Sequence, residues 1–380
     1  GPVTGESPAG LYVLRFEQTS QRWNLDVPIC TGLKLKPGSL ISHNFLLQIY
    51  SLNPWREVHG MQTYLRNRPV WTQLIIFGGL TVGIFLLSGT LGISLVAYLN
   101  HLSISQISTL TPADYARPEL AGVLKGLLVV QFLAFLLPSL IFAYLADPKP
   151  LAYLGLKKPQ KKSFLPLTVI VIAVAYFSVS FLGTLDEAIV HQLPKATQKW
   201  IENGESNVNG MLDNILTMKK PADLIAPIFL VGVLAAVGEE VFFRGILQKF
   251  FIQIFKSAWP GIIFTGFIFS AIHMQFMGFI PRMLLGIILG SLYWFTGSLY
   301  LSILAHFIFN TVTLLLMYFK IADLDSRNSG NAAFILLGVA SLAVIVFLLN
   351  YLRKRSVTSY ASEFPPRIEN DFFSDTDHPV

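Results

Sequence analysis

The stretch "FLPLTVIVIAVAYFSVSFLGTL", residues 164–185, contains no Asp, Glu, Lys or Arg. An α-helix rises about 1.5 Å per residue, so roughly 20 apolar residues are enough to cross the hydrocarbon core of a bilayer. Residues 71–99 and 126–146 are free of these charged side chains as well. The sequence therefore predicts an α-helical protein that is embedded in a membrane.

The overall composition agrees with this prediction. Hydrophobic residues make up 53% of the 380 positions and charged residues 13%, whereas soluble domains have roughly 25% charged residues. The net charge is +6, but the lysines at 157, 158, 161 and 162 lie beside apolar segments, where anionic lipid attracts them. We expect the lipid bilayer, and no nucleic acid, among the partners. Cys30 is the only cysteine, which excludes an internal disulfide and a cysteine-based metal cluster.

The apolar segments predict the helices of the bundle. They indicate eight spanning helices, at about residues 70–99, 124–146, 163–186, 223–248, 258–280, 282–297, 299–320 and 331–352. The sixth is the weakest, because it is short and is entered through Gly278 and Pro281; a re-entrant segment or a tight hairpin with the fifth are alternatives. The predicted fold class is an all-α, polytopic integral membrane bundle with a buried polar chamber.

Basic residues near the helix ends predict the orientation. Arg66 and Arg68 precede the first predicted helix, five lysines lie between 149 and 162, and Arg353, Lys354 and Arg355 follow the last helix. Cytoplasmic loops carry an excess of such residues. We expect a multi-pass protein of the inner (cytoplasmic) membrane, with both ends of the core in the cytoplasm and the loop 187–222 on the other side.

The two ends of the chain differ from the apolar core at 61–352. Residues 1–60 are mixed in character and precede Met61. We expect them to be an N-terminal extension that is not native or is poorly ordered, and a small soluble segment is the alternative. Residues 353–380 form a polar tail that includes the pair Pro365 and Pro366, and we expect it to be disordered.

Three charged residues interrupt one of the apolar segments, within "VGEEVFFRGIL" at 237–247. Each costs about 2.5–3.5 kcal/mol at the centre of a membrane helix, so compensation is required. Glu240 and Arg244 are four residues apart and can pair on one helical face. A structural ion pair, with Arg244 extending its charge toward the membrane surface, is one interpretation. It leaves Glu239 without a partner on its own helix.

Further polar side chains occur in other predicted spans. His273 lies in the fifth, while His306 and Asn310 lie in the seventh, four residues apart and therefore on one face. A lone histidine on an apolar helix is more often structural than catalytic. Polar residues on three helices together indicate one buried polar chamber.

Such a chamber suits hydrolysis. A buried carboxylate can act as a general base toward water, and N–H donors from a histidine and an asparagine can stabilise an oxyanion, at about 3 kcal/mol per donor. These groups predict amide hydrolysis without a covalent intermediate. The sequence has no G-x-S-x-G motif and no cysteine in its apolar core, which excludes two common nucleophile arrangements.

A metal site is the main chemical alternative. Glu239, His273 and His306 are residue types that bind zinc or iron. The usual H-E-x-x-H motif is absent. We expect no cofactor, and keep a metal at these three residues as the alternative.

The polar residues resemble the three motifs of the CPBP family of membrane proteins, also called the abortive-infection or CAAX prenyl endopeptidase-like family. The motifs E-E-x-x-x-R, F-x-x-x-H and H-x-x-x-N occur in that order, at Glu239, Glu240 and Arg244, then Phe269 and His273, then His306 and Asn310. Each motif alone is weak evidence. Three in order on separate predicted helices indicate the family strongly, over most of residues 61–352.

This resemblance implies a glutamate-dependent intramembrane endopeptidase with an eight-helix core. It implies that Glu239 activates water with help from His273, that His306 and Asn310 bind the oxyanion, and that Glu240 and Arg244 orient the base. The substrate would be a peptide or a membrane-anchored protein, prenylated or not. Alternatives are a non-catalytic membrane scaffold or bacteriocin-immunity protein, a metal-dependent membrane hydrolase, and a transporter with a buried ion site.

Overall fold

In the computed structural model, the described residues are 17–19, 22–24, 65, 67–110, 114, 120–215, 218–320, 331–356 and 358–364. The chain divides into two units, Gly1–Gly60 and Met61–Val380. In the first unit, strand β1 (Glu17–Thr19) pairs antiparallel with β2 (Arg22–Asn24). The rest of residues 1–60 and the tail beyond 364 lie outside the described residues, and the expectations for both remain predictions.

The second unit is helical. Its elements are α1 Val70–Leu99, α2 Ile104–Ser108, α3 Ala121–Ala146, α4 Pro150–Tyr153, α5 Phe164–Gln192, α6 Lys195–Ile215, α7 Pro221–Phe255, α8 Ala258–Ala271, α9 Phe279–Thr296, α10 Leu299–Tyr318, α11 Ala332–Arg355 and α12 Tyr360–Glu363. Within the described ranges, seven of these are long and apolar enough to cross a membrane, namely α1, α3, α5, α7, α9, α10 and α11. The predicted fold class, an all-α polytopic membrane bundle, is confirmed.

The fifth predicted helix is shorter than expected. Helix α8 has 14 residues and is about 21 Å long, less than the roughly 30 Å of a hydrocarbon core. It ends at Ala271, and residues 272–278, which we call the His273 loop, lead into α9. Within this loop Met274 and Gly278 have φ angles of 53° and 83°, a left-handed conformation that ends helices. The prediction of one helix over 258–280 is therefore wrong.

The sixth predicted helix, expected to be the weakest, is a regular 18-residue helix, α9. Pro281 lies in its first turn, where main-chain N–H groups have no partner within a helix. The short element of the pair is thus α8, and not α9 as the sequence indicated.

Residues 187–222, which were predicted to be a loop, also differ from the prediction. Helix α5 continues to Gln192, and the amphipathic helix α6 follows it. Gln198, Ile201 and Glu205 are buried, and their spacing of three and four residues places them on one helical face. Helix α6 therefore has a buried side that contacts the rest of the bundle.

Helix α7 is continuous but irregular. It contains two π-helical segments, Ile228–Leu234 and Phe243–Leu247, and the second of them includes Arg244. A π-turn contains one extra residue, so it changes the direction in which the following side chains point. Helix α7 packs between α3 and α10, which places its polar residues inside the bundle.

Helices α8 and α9 approach each other closely at two glycines. A Cβ added to Gly286 would lie 2.9 Å from the Cα of Gly266, too close for any side chain. Small residues at such crossings allow the main chains of membrane helices to come near each other. The crossing also places the Gly286 carbonyl beside α7, where it contacts Arg244.

Candidate active site

A buried ion pair lies at the centre of the candidate site. Arg244 Nη1 donates a hydrogen bond of 2.7 Å to Glu240 Oε1, and both side chains are completely buried. The predicted pairing of these residues across one helical turn is confirmed. The idea that Arg244 extends toward the membrane surface is wrong, because its side chain stays in the interior.

Glu240 receives two further hydrogen bonds. The Ser302 hydroxyl donates to Oε2 at 2.5 Å, and His306 Nδ1 lies 2.9 Å from Oε1. Buried charges require such partners, because a carboxylate that loses water is strongly destabilised. With donors at both oxygens, Glu240 is held in one orientation and its lone pairs are largely occupied.

Sequence reasoning missed Ser302. It precedes His306 by four residues on α10, so the two share a helical face with Asn310. The signal was present as the pattern S-x-x-x-H-x-x-x-N. A single serine on an apolar helix usually bonds its own main chain, and for that reason it carries little weight in a sequence.

Arg244 is held on three sides. Its Nη2 donates to the Gly286 carbonyl at 3.0 Å, and its guanidinium carbon lies 4.7 Å from the Phe269 ring centroid and 5.8 Å from that of Phe243. Aromatic faces attract a cation, and more strongly where water is absent. Its Nε has no hydrogen-bond partner among the described residues.

Phe269 contacts residues of all three motifs. Besides the Arg244 contact, its ring centroid lies 5.2 Å from that of His273 and 6.0 Å from that of His306. Both histidine rings meet it edge to face. Phe269 is the side chain through which the second motif contacts the first and the third.

Glu239 has a different environment from Glu240. Its side chain keeps 13% of its surface exposed, and its Oε2 lies 3.9 Å from His306 Nε2. Of the two glutamates, Glu239 is the more exposed. Because a carboxylate only accepts, the bond to Glu240 requires a proton on His306 Nδ1 and directs Nε2 toward Glu239.

His273 lies in the loop after α8, and not within a helix as predicted. Its Nδ1 is 2.7 Å from the Phe269 carbonyl; a carbonyl accepts, so Nδ1 carries the proton and Nε2 has the lone pair. Burial in the loop lowers the pKa of His273 to about 4. The imidazole is therefore neutral at pH 7.

Asn310 contacts the main chain of α7. Its Nδ2 donates to the Val231 carbonyl at 2.8 Å, within the first π-helical segment. Irregular stretches of membrane helices are stabilised by polar side chains of this kind. His306 and Asn310 lie on the same face of α10, but in this structure their side chains have different partners. A side-chain amide has two N–H donors, and the bond to Val231 uses one.

An apolar cavity lies between α7 and α10. Its volume is about 310 Å³ and apolar side chains are typical of such sites. It is lined by Val233, Ala236, Val237, Tyr300, Ile303, Leu304 and Phe307. Three of these residues lie on α7 and four on α10, and neither Glu239 nor His306 is among them.

The structure describes no group of three or more His, Cys, Asp or Glu side chains arranged as metal ligands in the residues it covers. The His273 ring contacts the Phe269 ring, and Glu239 Oε2 lies 3.9 Å from His306 Nε2. The metal alternative at Glu239, His273 and His306 remains a prediction that chelation can test.

Comparisons with known proteins add independent information. Residues 221–312 match the family described as Type II CAAX prenyl endopeptidase Rce1-like. The chain is also 27% identical, over 138 residues, to the uncharacterized protein YpbD of Bacillus subtilis (strain 168); the match covers 35% of this chain and 66% of that protein. No solved structure matches the chain. The resemblance drawn from the three motifs is thus confirmed, and the segment that carries the site is similar to the Rce1-like CAAX prenyl endopeptidases, a family of intramembrane proteases.

Proposed function

We propose that this integral membrane protein is an intramembrane endopeptidase in which Glu239 activates water for attack on a peptide bond. The observation that carries the proposal is the contrast between two adjacent glutamates. Glu240 is fully buried and receives hydrogen bonds from Arg244, Ser302 and His306. Glu239 keeps 13% of its side chain exposed, so it is the carboxylate with access to water and substrate.

The proposed reaction has two proton transfers. Glu239 takes a proton from water, and the hydroxide adds to the carbonyl carbon of the scissile peptide bond to give a tetrahedral oxyanion. Glu239 then gives the proton to the amide nitrogen, and the C–N bond breaks. The products are a new carboxylic acid, which passes its remaining proton to the new amine, and the enzyme returns to its first state. This is general acid–base catalysis by one group.

His306 orients the base in this scheme. Its Nδ1 proton is fixed on Glu240, which directs Nε2 toward Glu239 at 3.9 Å. Arg244 in turn fixes Glu240 and keeps the buried network close to neutral.

The roles of His273 and Asn310 are part of the proposal. His273 is neutral, with its Nε2 lone pair available as a second proton acceptor. Asn310 has one amide hydrogen on Val231 and a second for the substrate oxyanion. The apolar cavity between α7 and α10 suits an apolar side chain or a lipid-modified residue of a peptide or a membrane-anchored protein.

The test compares the membrane proteomes of cells that carry the wild type and Glu239→Gln. Glutamine keeps the shape of glutamate but cannot accept the proton. We expect one or more peptide termini to disappear in the variant while the amount of folded protein stays the same. The matched control is Glu202→Gln, because Glu202 is exposed on α6. Unchanged termini in the Glu239→Gln cells would contradict the proposal.

A non-catalytic membrane scaffold or immunity protein is the second candidate. The observation that favours it is the complete set of bonds around Glu240, which would stabilise a bundle without any reaction. A scaffold predicts that Glu239→Gln, which leaves the bonds of Glu240 intact, keeps full biological activity, for example protection from a toxin. The peptidase predicts that this variant loses activity.

A further inference from the structure

The amphipathic helix α6 contacts the loop that carries His273. Glu205 on α6 is buried, with 8% of its surface exposed. Its Oε1 accepts the main-chain N–H of Met277 at 3.0 Å, and its Oε2 accepts from Gln275 Nε2 at 3.3 Å. Two residues of the His273 loop therefore donate hydrogen bonds to one carboxylate on α6.

Arg282 on α9 also forms hydrogen bonds with this loop. Its Nη1 donates to Gln275 Oε1 at 3.1 Å, and its Nη2 donates to the carbonyls of Gln275 at 2.6 Å and Met277 at 3.1 Å. Gln275 thus lies between a carboxylate and a guanidinium, with its amide nitrogen toward the first and its oxygen toward the second. Hydrogen bonds to charged groups are about twice as strong as those between neutral groups.

The conformation of the loop explains why it needs these contacts. Met274, the residue after His273, has a φ of 53°, which is unfavourable for any residue with a Cβ. Strained conformations of this kind persist only where the surroundings fix them. On α6, the Trp200 ring lies 5.2 Å from that of Phe276 and adds a further contact between α6 and the loop.

We propose that Glu205 is a positioning residue: by binding Met277 and Gln275 it fixes the His273 loop, and with it the orientation of the His273 imidazole. The proposal rests on the proposed peptidase function for its effect on catalysis. It assigns a role to a residue that lies outside the three motifs and outside residues 221–312. Glu205 acts through the loop and does not touch the reacting atoms.

The first measurement is hydrogen–deuterium exchange of the His273 loop in the full-length protein. Glu205→Ala removes the acceptor of the Met277 N–H, and we expect this amide to exchange at least about tenfold faster. Exchange around Glu239 stays as in the wild type. The matched control is Glu202→Ala, one helical turn earlier on the exposed side of α6, which leaves exchange in the loop unchanged.

The second measurement is the rate of cleavage of a quenched fluorescent peptide with the cleavage sequence found in the proteome comparison. We expect Glu205→Ala to lower kcat about tenfold to a hundredfold with little change in KM, because a small displacement of a catalytic group has effects of this size. The double variant E205Q/Q275E, in which the two side chains are exchanged, tests for rescue. Its glutamine at position 205 still accepts from the Met277 N–H, and its amide nitrogen can donate to the new carboxylate at position 275, which also accepts from Arg282. We therefore expect kcat and slow exchange to return.

The outcomes separate the two proposals. Wild-type exchange at Met277 in Glu205→Ala, wild-type kcat in that variant, or failure of E205Q/Q275E to restore both would overturn the role of Glu205. If the wild type cleaves no peptide while Glu205→Ala still accelerates exchange, the proposed peptidase function is wrong and the effect of Glu205 on the loop stands.

Discussion

His306 Nδ1 lies 2.9 Å from Glu240 Oε1, between α10 and α7. The contact gives two adjacent glutamates different environments, because it occupies Glu240 and turns the other ring nitrogen toward Glu239. One residue of the third motif thus contacts both acids of the first motif. The sequence places the two residues 66 positions apart.

The first prediction contrasts the two glutamates. Glu240→Gln leaves the completely buried Arg244 without its counter-ion, and breaking a buried pair in this way costs about 3–5 kcal/mol. Glu239→Gln weakens a contact of 3.9 Å with His306 Nε2, which is longer than a hydrogen bond, and it should change stability little. Thermal unfolding in detergent measures both variants. A Glu239→Gln variant as unstable as Glu240→Gln would show that Glu239 is also structural.

The second prediction concerns Ser302. Ser302→Ala removes the 2.5 Å hydrogen bond to Glu240 Oε2, and bonds to charged groups contribute about 1.5–3 kcal/mol. We expect a lower unfolding temperature together with lower kcat. The matched control is Ser291→Ala on α9, because Ser291 is buried and its hydroxyl has no partner among the described residues. Equal effects of the two substitutions would mean that loss of the Glu240 bond is not the cause.

The helical bundle could be predicted from the sequence because a charge-free run of roughly 20 residues is typical of a membrane-spanning helix. The Glu240–Arg244 pair could be predicted because residues four apart on a helix lie on the same face. The end of α8 at Ala271 could not be predicted, because Ile272, Met274 and Phe276 continue the apolar pattern through the loop. The left-handed φ angle of Met274 follows the end of the helix, and hydropathy does not record φ.

Contacts between different helices could not be predicted from the sequence either. The bond from Asn310 to the Val231 carbonyl depends on a π-helical segment of α7, which no periodicity in the sequence shows. The contacts of Phe269 with Arg244 and His306 depend on how three helices cross. Spacing along one helix predicts which residues share a face, but it does not predict the partner on the next helix.

The third prediction tests the close crossing of α8 and α9. A methyl group at Gly286 would lie 2.9 Å from the Cα of Gly266, so the helices must separate. The Gly286 carbonyl then moves away from Arg244, which loses its 3.0 Å bond. We expect Gly286→Ala to destabilise the protein by about 1–3 kcal/mol, the usual cost of overpacking, and to lower activity.

Gly83→Ala on α1 is the control for Gly286→Ala. Within the part of the chain that the structure describes, no heavy atom lies within 4 Å of a Cβ at Gly83. Alanine favours helices by up to about 1 kcal/mol over glycine, so this variant should be as stable as the wild type or slightly more so. A Gly286→Ala variant that behaves like Gly83→Ala would contradict the crossing.

The fourth prediction uses pH. In the folded protein, burial lowers the pKa of His273 from 6.5 to about 4. Between these values the unfolded chain binds more protons, so the stability contributed by the neutral ring is present above about pH 6.5 and is lost as the pH falls toward 4. His273→Gln removes this titration. The difference in unfolding temperature between the wild type and His273→Gln should shrink between pH 7 and pH 4, and a constant difference would show that His273 is not buried as a neutral ring.

The fifth prediction separates the glutamate mechanism from the metal alternative. If Glu239 activates water directly, prolonged dialysis of the purified protein against EDTA or 1,10-phenanthroline leaves cleavage of the fluorescent peptide unchanged, and added zinc or iron does not raise it. If Glu239, His273 and His306 bind a metal ion, chelation abolishes cleavage, and the matching metal restores it. Metal analysis of the dialysed protein completes the test, since activity in a sample free of zinc and iron excludes both as the source of the nucleophile. Glu239→Gln remains inactive in either case, so chelation, and not this substitution, distinguishes the two mechanisms.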